Sequence, residues 1–459
     1  MIKGTGGTSI PSGLVAKLLT GLLLSGLLGG PASAIAKLVT IDPIPSAIPE
    51  NLMYGEILRE IRIEGNKYTR EWIILKAVKS QIGHPYTPEN AKKDVLWILR
   101  LGAFTSVKLA TVPVDDGIAL VVTVTEATPY IPSLSIRITQ ENGVEIGPAI
   151  SSSNLLGTAA RMSAYARWGG ATNYGLRYAD PPLPGRSWIY GYRFEFFHRD
   201  RVNELMEFDE TTDEVFLEFL QSTTEETRLG LRFRYTALKS DRDGMTLGVD
   251  NYDHVPSFGV FVQNDSRNSI YPTDGWYMDL EAAKWGTFGG DADYWRLDLD
   301  VRHYTPLPGL GERHSMTLSS YASLTSGELG ETIPPWAEFY VGGTNSVRGW
   351  SLGSRRGQHQ WLNTIEYWFR LMDQKRWKFW FIKWRMGLQI GVFGDLGTAW
   401  SDPSDLEANM IGGVGVGLRL TLPVITMFRM DLAYGENSMG VRFFIGGAEK
   451  AIAQKNRVR

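Results

Sequence analysis

Three short stretches of this 459-residue chain carry residue types that chemistry uses. Gly349-Trp350-Ser351-Leu352-Gly353 has the G-x-S-x-G spacing of a nucleophile elbow, and Gly413-Val414-Gly415-Val416-Gly417 imitates a glycine-rich phosphate loop. Arg348 stands alone within GGTNSVRGW, residues 342–350. An elbow serine needs a strand before it and a helix after it, with Asp and His downstream. Here a loop precedes and strands follow, so esterase chemistry is not expected. The three glycines recur with period two, and Leu418 and Leu420 continue the apolar phase, which is a strand pattern whose small face leaves room for something packed against it. The arginine remains, and its chemistry is ion pairing: a planar guanidinium fork suits carboxylates better than lysine does.

Composition narrows the class. At 43% hydrophobic and 21% charged residues the chain can bury a core in more than one domain, and a net charge of −3 with no basic run excludes nucleic acid as a partner. Six scattered histidines and no cysteine argue against a metal cluster, disulfides and thiolate chemistry. No enzyme activity, cofactor or metal is expected.

The elements that must position the arginine fall into two groups. Residues 1–34 read as a signal peptide: Lys3 and Lys17 lead an apolar run over 18–28, and Ala32-Ser33-Ala34 is a small-x-small cleavage site. A Pro-dotted linker, 35–51, leads into a domain over 52–128. There ILREIRIE, 57–64, alternates as a half-buried strand. Thr69 is placed to cap a helix running to Ser80 and stopped by Gly83, and Thr87-Pro88 opens a second helix, closed at Gly102, whose apolar side is Val95, Leu96, Ile98 and Leu99. Two strands, 107–112 and 118–126, follow around an Asp-Asp-Gly turn. The order is β-α-α-β-β.

From residue 131 the helical period is replaced by alternation. In 188–197 the even positions are Trp188, Tyr190, Tyr192, Phe194 and Phe196. In 228–237, Leu229, Leu231, Phe233 and Tyr235 oppose Arg228, Arg232 and Arg234; in 295–302, Leu297, Leu299 and Val301 oppose Arg296, Asp298, Asp300 and Arg302. The inward charges read as a solvated channel wall. A soluble sandwich alternates too, but 15 Trp, 19 Tyr and 19 Phe at a mean hydropathy of −0.15 suit aromatic girdles at two membrane interfaces. Residues 131–446, at roughly 10 per strand plus a turn, give about 16 strands. The expected fold is mostly β: a transmembrane antiparallel barrel behind one small β-α-α-β-β domain, with a polar tail over 447–459.

Strand phase then says which carboxylates are available. In 361–371 the outward set Trp361, Ile365, Tyr367, Phe369 and Leu371 turns Glu366 and Arg370 inward. In 388–397, Leu388, Ile390, Val392 and Leu396 point out, leaving Asp395 facing the lumen beside Phe393. If the glycine-rich loop bends inward, Arg348 meets Glu366 and Asp395; otherwise it is an exposed loop arginine.

With these stretches in view, the sequence resembles the BamA/TamA-like superfamily of outer-membrane assembly and translocation pores, the bacterial surface antigen family, with POTRA domains before a 16-stranded barrel. IREIRIEGNKYT, IGHPYTPENAKKDVLWILRLGAFTSVKL and VVTVTEATP look like one POTRA domain. NDSRNSIYPTDGWYMDLEAAKWG is similar to the family's mid-barrel signature. GGTNSVRGW, with Gly342, Gly343, Val347, Gly349 and Trp350, is similar to its V-R-G loop motif, and GVFGDLGTAW, with Phe393 and Gly397, to its F-x-D-x-G strand motif.

The resemblance implies that Arg348 locks an inward-folded loop against Asp395 and Glu366. It further implies an outer membrane of the Gram-negative type, a periplasmic POTRA domain, and partners that are unfolded outer-membrane or secreted clients, outer-membrane lipid and periplasmic accessory proteins. Clients would add a strand to a POTRA sheet edge; the candidates are the first strand, with Ile61 and Ile63, and the hairpin strand, with Val107 and Leu109. A passive solute channel and a surface scaffold or antigen are the rival functions.

Overall fold

The computed structural model describes residues 39–42, 52–139, 142–180, 190–203, 205–224, 226–268, 272–307, 309–311, 313–379, 382–421, 426–436 and 438–447. The expected signal peptide and all but the first residue of the expected polar tail lie outside the described residues. Within the stretch expected as linker, Val39–Asp42 forms a short strand, β1, antiparallel to the end of a barrel strand, with Val39 opposite Phe379 and Asp42 opposite Arg376.

The small domain comprises β2 (Leu58–Glu64), α1 (Glu71–Ala77), α2 (Pro88–Arg100), β3 (Phe104–Val114) and β4 (Gly117–Glu126). Its sheet order is β2-β4-β3. β4 is therefore central, parallel to β2 and antiparallel to β3. Leu58, Ile73, Ile74, Ile98, Leu120 and Val122 are among the fully buried residues that join sheet and helices in one core. α2 starts as its sequence demands: the Thr87 hydroxyl accepts from Asn90 N (3.2 Å) and Pro88 fills a position where no amide partner is needed. Its buried residues include Trp97 and Asp94, neither of which the apolar set anticipates.

The first helix is shorter than expected and Thr69 does not cap it. The Thr69 hydroxyl donates to Glu126 Oε1 (2.6 Å) and accepts from Asn154 Nδ2 (2.8 Å), so it is committed elsewhere. Arg70 and Val78 are extended at the two ends, and the amides of Lys79 and Ser80 turn to Asp94 Oδ1 (2.5 and 3.0 Å). A carboxylate on the second helix thus ends the first.

The barrel begins with β5 (Tyr130–Thr139), β6 (Gly143–Leu155), β7 (Ala160–Gly169), β8 (Ala171–Ala179), β9 (Tyr190–Asn203) and β10 (Phe208–Ser222). It continues with β11 (Thr227–Ser240), β12 (Tyr252–Asp265), β13 (Gly275–Trp285), β14 (Tyr294–Pro306) and β15 (His314–Thr325). After a long loop carrying the two-stranded pair β16 (Phe339–Val341) and β17 (Arg355–Gly357) come β18 (His359–Phe379), β19 (Ile382–Trp400), β20 (Ile411–Thr421), β21 (Thr426–Gly435) and β22 (Ser438–Gly447). Among the described residues these form a ring of sixteen strands, β5 to β15 and β18 to β22, closed by bonding of β22 to β5. Closure leaves no strand edge in lipid, where an unpaired backbone group costs several kcal/mol on the order given by apolar transfer.

Alternation assigns the faces. On β11, Leu229, Leu231 and Tyr235 are exposed while Arg232, Arg234 and Thr236 are buried. Trp276 and Tyr192 lie at the ends of β13 and β9 that face the small domain, and Trp168 and Trp295 lie at the far ends of β7 and β14; all four are exposed, as girdle residues are. The inward charges differ from a solvated channel wall. Arg232 donates to Glu218 (2.8 Å), Asp279 (2.7 Å) and Glu281 (2.7 Å), and its side chain is 3% exposed. Some pairs form across neighbouring strands, as Arg232 with Glu218, and others along one strand, as Arg296 with Asp298 and Arg302 with Asp300, and pairing removes both partners from water.

Candidate functional site

The loop between β15 and β18 folds onto the inner wall. Val341, Val347, Leu362, Ala399 and Ile411 pack together, with Trp350 against them. Gly342 (φ 116°), Gly343 (φ 96°) and Gly349 (φ 93°) occupy backbone conformations that a side chain disfavours. Gly343 N donates to Trp350 O (3.0 Å), closing the turn, and Trp350 Nε1 reaches Gly412 O on β20 (2.7 Å). Ser351 sits in this turn and donates through its hydroxyl to Glu436 (2.9 Å), which is no elbow geometry.

Arg348 is fully buried. Its Nε donates to Asp395 Oδ2 (2.6 Å) and its Nη2 to Asp395 Oδ1 (2.9 Å), a two-pronged grip on one carboxylate. Nη2 also donates to Glu366 Oε1 (3.0 Å), and Nη1 to Asp431 Oδ2 (3.1 Å). The guanidinium carbon lies 3.3 Å from the ring centre of Phe393, so one face of the cation rests on an aromatic ring. Thr364 Oγ1 holds Asp395 Oδ1 (2.8 Å), and Arg419 Nη2 holds Glu366 Oε2 (2.6 Å). Asp395 and Glu366 are therefore each held by a strand residue as well as by the loop.

The structure thus brings Arg348, Glu366 and Asp395 together, with Phe393 beneath. Gly397 faces Val347 and Val341, which a Cβ would crowd. On β20 a Cβ at Gly413 would overlap the carbonyl oxygen of Arg348, one at Gly415 the ring of Phe393, and one at Gly417 the ring of Trp368. The period-two glycines are the floor on which the loop rests.

Asp431, Arg419 and Arg429 were missed. Arg429 lies 3.0 Å from Asp431 and donates through Nη2 to Thr344 O (3.0 Å), giving the cluster three arginines and three carboxylates. The alternation of FRMDLAY, 428–434, places Arg429 and Asp431 on one face and was a usable signal.

A second contact holds the loop at its other limb. Trp336 Nε1 donates to buried Asp253 Oδ2 (2.6 Å), whose Oδ1 accepts from Leu247 and Gly248 amides (2.8 Å each). Trp336, Ile333 and Ala337 join Trp285, Tyr294 and Phe208 in an apolar cluster at the barrel end away from the small domain.

The proposed client edges take a different form. β2 and β3 are both edge strands. Val107 and Leu109 are buried, and Ile61 and Ile63 pack against the same core. Those four side chains hold the sheet, and what each edge offers outward is backbone. The domain rests on the barrel rim: Arg70 N donates to Gly157 O (2.9 Å) in the β6–β7 turn, Arg161 Nη2 to Arg100 O (3.2 Å), and Arg100 to Arg267 O.

Fold and site together define a closed sixteen-stranded membrane barrel with one POTRA domain at its rim and an arginine-anchored loop inside. Residues 154–448 match the Omp85 superfamily domain, and residues 57–127 match the POTRA family, described as a surface antigen variable number repeat. The chain belongs to the Omp85 superfamily, and it is an outer-membrane protein with a periplasmic POTRA domain.

Among curated proteins it is similar to the outer membrane protein assembly factor BamA of Neisseria meningitidis serogroup B, at 23% identity over 348 residues. That alignment covers 70% of this chain and 42% of the relative, so the chain spans less than half the relative's length. Similar solved folds include BamA from Haemophilus ducreyi lacking POTRA domains 1–3, with TM-score 0.56, 14% identity, and coverage of 96% of this chain and 94% of that one. CdiB from Escherichia coli has TM-score 0.55 and 14% identity, covering 97% and 92%; CdiB from Acinetobacter baumannii has 0.57 and 12%, covering 96% and 87%.

Proposed function

We propose that this chain receives unfolded polypeptide at its POTRA domain and inserts it into, or moves it across, the outer membrane. The observation that carries the reading is an open sheet edge held against the barrel rim. β3 starts just after Gly102, which faces Ser153 and Arg161 of the barrel, so a strand added to β3 would lie beside the membrane pore. Of the two edges, β2 is guarded by exposed Arg59, Glu60, Arg62 and Glu64, and its first residue is already bonded to His84 and Gly83. Charges on an edge repel added strands. β3 carries Lys108 alone among charged residues, which favours it as the receptor of extended clients through backbone hydrogen bonds.

In this reading Arg348 anchors the inward loop and sets the barrel's resting state, while separation of β22 from β5 would expose partners for a nascent strand. Clients are unfolded outer-membrane or secreted chains, with outer-membrane lipid as solvent and periplasmic proteins as accessories. The test reconstitutes the chain in liposomes with an unfolded outer-membrane barrel and scores its folding by heat-modifiable gel mobility, with and without residues 52–128. Acceleration that needs those residues is expected. No acceleration, with ion conductance unaffected by the deletion, would replace this reading with a passive channel; secretion of a soluble client without barrel folding would assign translocation. Single cysteines at Lys108 and Arg62 then report which edge crosslinks to the client.

A further inference from the structure

The exposed side of the first POTRA helix carries residues that water does not favour. Trp72 is 43% exposed and Leu75 40%, one turn apart on α1, and Tyr68, just before the helix, is 38% exposed. Arg70 and Lys76 are exposed beside them, and Lys76 Nζ lies 4.7 Å over the Trp72 ring. Glu71 is the one anion among the exposed residues of α1, and an aromatic and aliphatic stripe with Arg70 and Lys76 at its edges is the composition of a segment lying in a bilayer interface.

Its position on the barrel fits that chemistry. The Tyr68 hydroxyl shares a hydrogen bond with the Tyr130 hydroxyl (2.9 Å). Tyr130 opens β5 in the phase of Leu134, which is 62% exposed on the lipid face, while Arg137 and Glu145 fall in the opposite, inward phase. Tyr68 therefore meets the barrel on its membrane side. Leu156 in the adjoining β6–β7 turn is 66% exposed and its amide donates to the same Tyr130 hydroxyl (3.4 Å), while Arg70 N is bonded to Gly157 O in that turn. Leu134, Tyr130, Leu156 and Tyr68 make the lipid-facing belt of β5 and β6 continuous with the exposed side of α1.

We propose that this face of α1, formed by Tyr68, Trp72 and Leu75, lies in the periplasmic leaflet of the outer membrane, with Arg70 and Lys76 at the lipid phosphates. The occupant is the bilayer that already surrounds the barrel, and the attachment point is beside β5, the strand that closes against β22. The POTRA domain is then held by lipid as well as by the rim contacts, at the seam where the barrel begins and ends. This inference rests on the outer-membrane location and not on any client.

The chain has no cysteine, so Leu75→Cys and Glu89→Cys each supply one labelling position; the Glu89 side chain, on α2, is 75% exposed. The full chain, labelled with an environment-sensitive fluorophore, is reconstituted in phosphatidylethanolamine and phosphatidylglycerol liposomes with spin-labelled quencher lipid. A blue-shifted emission and quenching at 75, with water-like unquenched emission at 89, is the expected result, and adding Trp72→Ser should reduce the quenching at 75 while heat-modifiable mobility shows the barrel still folded. Emission at 75 as water-like and unquenched as at 89 would overturn the proposal and leave the face to a protein partner. Equal quenching at both positions would overturn it too, since the domain would then have no preferred face.

Discussion

Two regions of this molecule treat backbone and charge in opposite ways. Around Arg348 all three guanidinium nitrogens are bonded, to Asp395, Glu366 and Asp431, in a site with no exposure. In the POTRA sheet the strands β2 and β3 are each bonded along one side, and the side chains that would give an edge specificity are turned into the core. Where each nitrogen of a buried guanidinium is matched to a carboxylate, the fold holds one state, because any movement uncovers a buried charge. On the proposed function, a row of backbone groups facing water would accept an extended client without reading its sequence. That function calls for both: a defined resting barrel and an indiscriminate receptor.

The contrast is broken most severely by Arg348→Ala, which leaves buried Asp395 without a cation while Glu366 keeps Arg419 and Asp431 keeps Arg429, and should cost on the order of 3–5 kcal/mol, the range for unpairing a buried ion. Protease cleavage within residues 339–357 should become fast while the strands stay intact; unchanged cleavage would remove the anchoring role. Arg348→Asp combined with Asp395→Arg should restore little protection, since Glu366, Asp431 and the Phe393 ring remain arranged for a guanidinium on the loop.

Gly413→Val attacks the same state from the floor, forcing the Arg348 carbonyl away at a cost of about 1–3 kcal/mol for overpacking. The same proteolysis assay should show a partial release, with Gly412→Val, the neighbouring glycine at which a Cβ meets only ordinary contacts at 3.6 and 3.7 Å, as a site-specific control. Trp336→Phe removes the donor to buried Asp253 and part of a ring packed in the apolar cluster, and should cost about 1–3 kcal/mol, the range for leaving a buried acceptor unsatisfied. It should loosen residues 329–338 in hydrogen exchange without freeing Arg348.

The smallest effects lie in the POTRA domain and depend on pH with opposite signs. Burial raises the Asp94 carboxyl above its ordinary value despite hydrogen bonds from Ser80 and Lys79. Its contribution to stability is therefore full below the unfolded range near ~4 and is lost as pH rises through the folded value. For Glu126, burial is outweighed by hydrogen bonds from the Thr69 hydroxyl and the amides of Thr69, Tyr68 and Lys67, which hold it below its ordinary value. Its contribution is present above the unfolded range near ~4.3 and is lost as pH falls through the folded value. Between acid and neutral pH, Asp94→Asn should gain relative to the parent and Glu126→Gln should lose, read by hydrogen exchange of residues 52–128 in the full chain. Parallel responses would show that the two carboxyls do not sense separate environments.

Much of the loop site was legible because a β-strand has period two. Once Ile365 and Tyr367 are assigned outward, Glu366 must face in, and the same argument fixes Asp395 between Leu396 and Gly394. The loop's direction came from a family motif, since GGTNSVRGW is equally compatible with an exposed arginine. Asp431 obeyed the same periodicity and was overlooked. Thr69 was unreadable in principle: a Ser or Thr before a helix is a cap by local rules, and only the approach of Glu126 and of Asn154 from the barrel diverts it.

The sequence alone determined the faces of the strands, their number of about sixteen and the β-α-α-β-β order, since each follows from a period repeated over neighbouring residues. The tertiary structure alone decided which carboxylate takes which guanidinium nitrogen, why Gly413, Gly415 and Gly417 must be small, where the first helix ends and which side of the POTRA domain touches the rim. Those depend on residues tens of positions apart whose meeting is set by sheet register and closure. Periodicity gives a side chain its direction, and only closure gives it a neighbour.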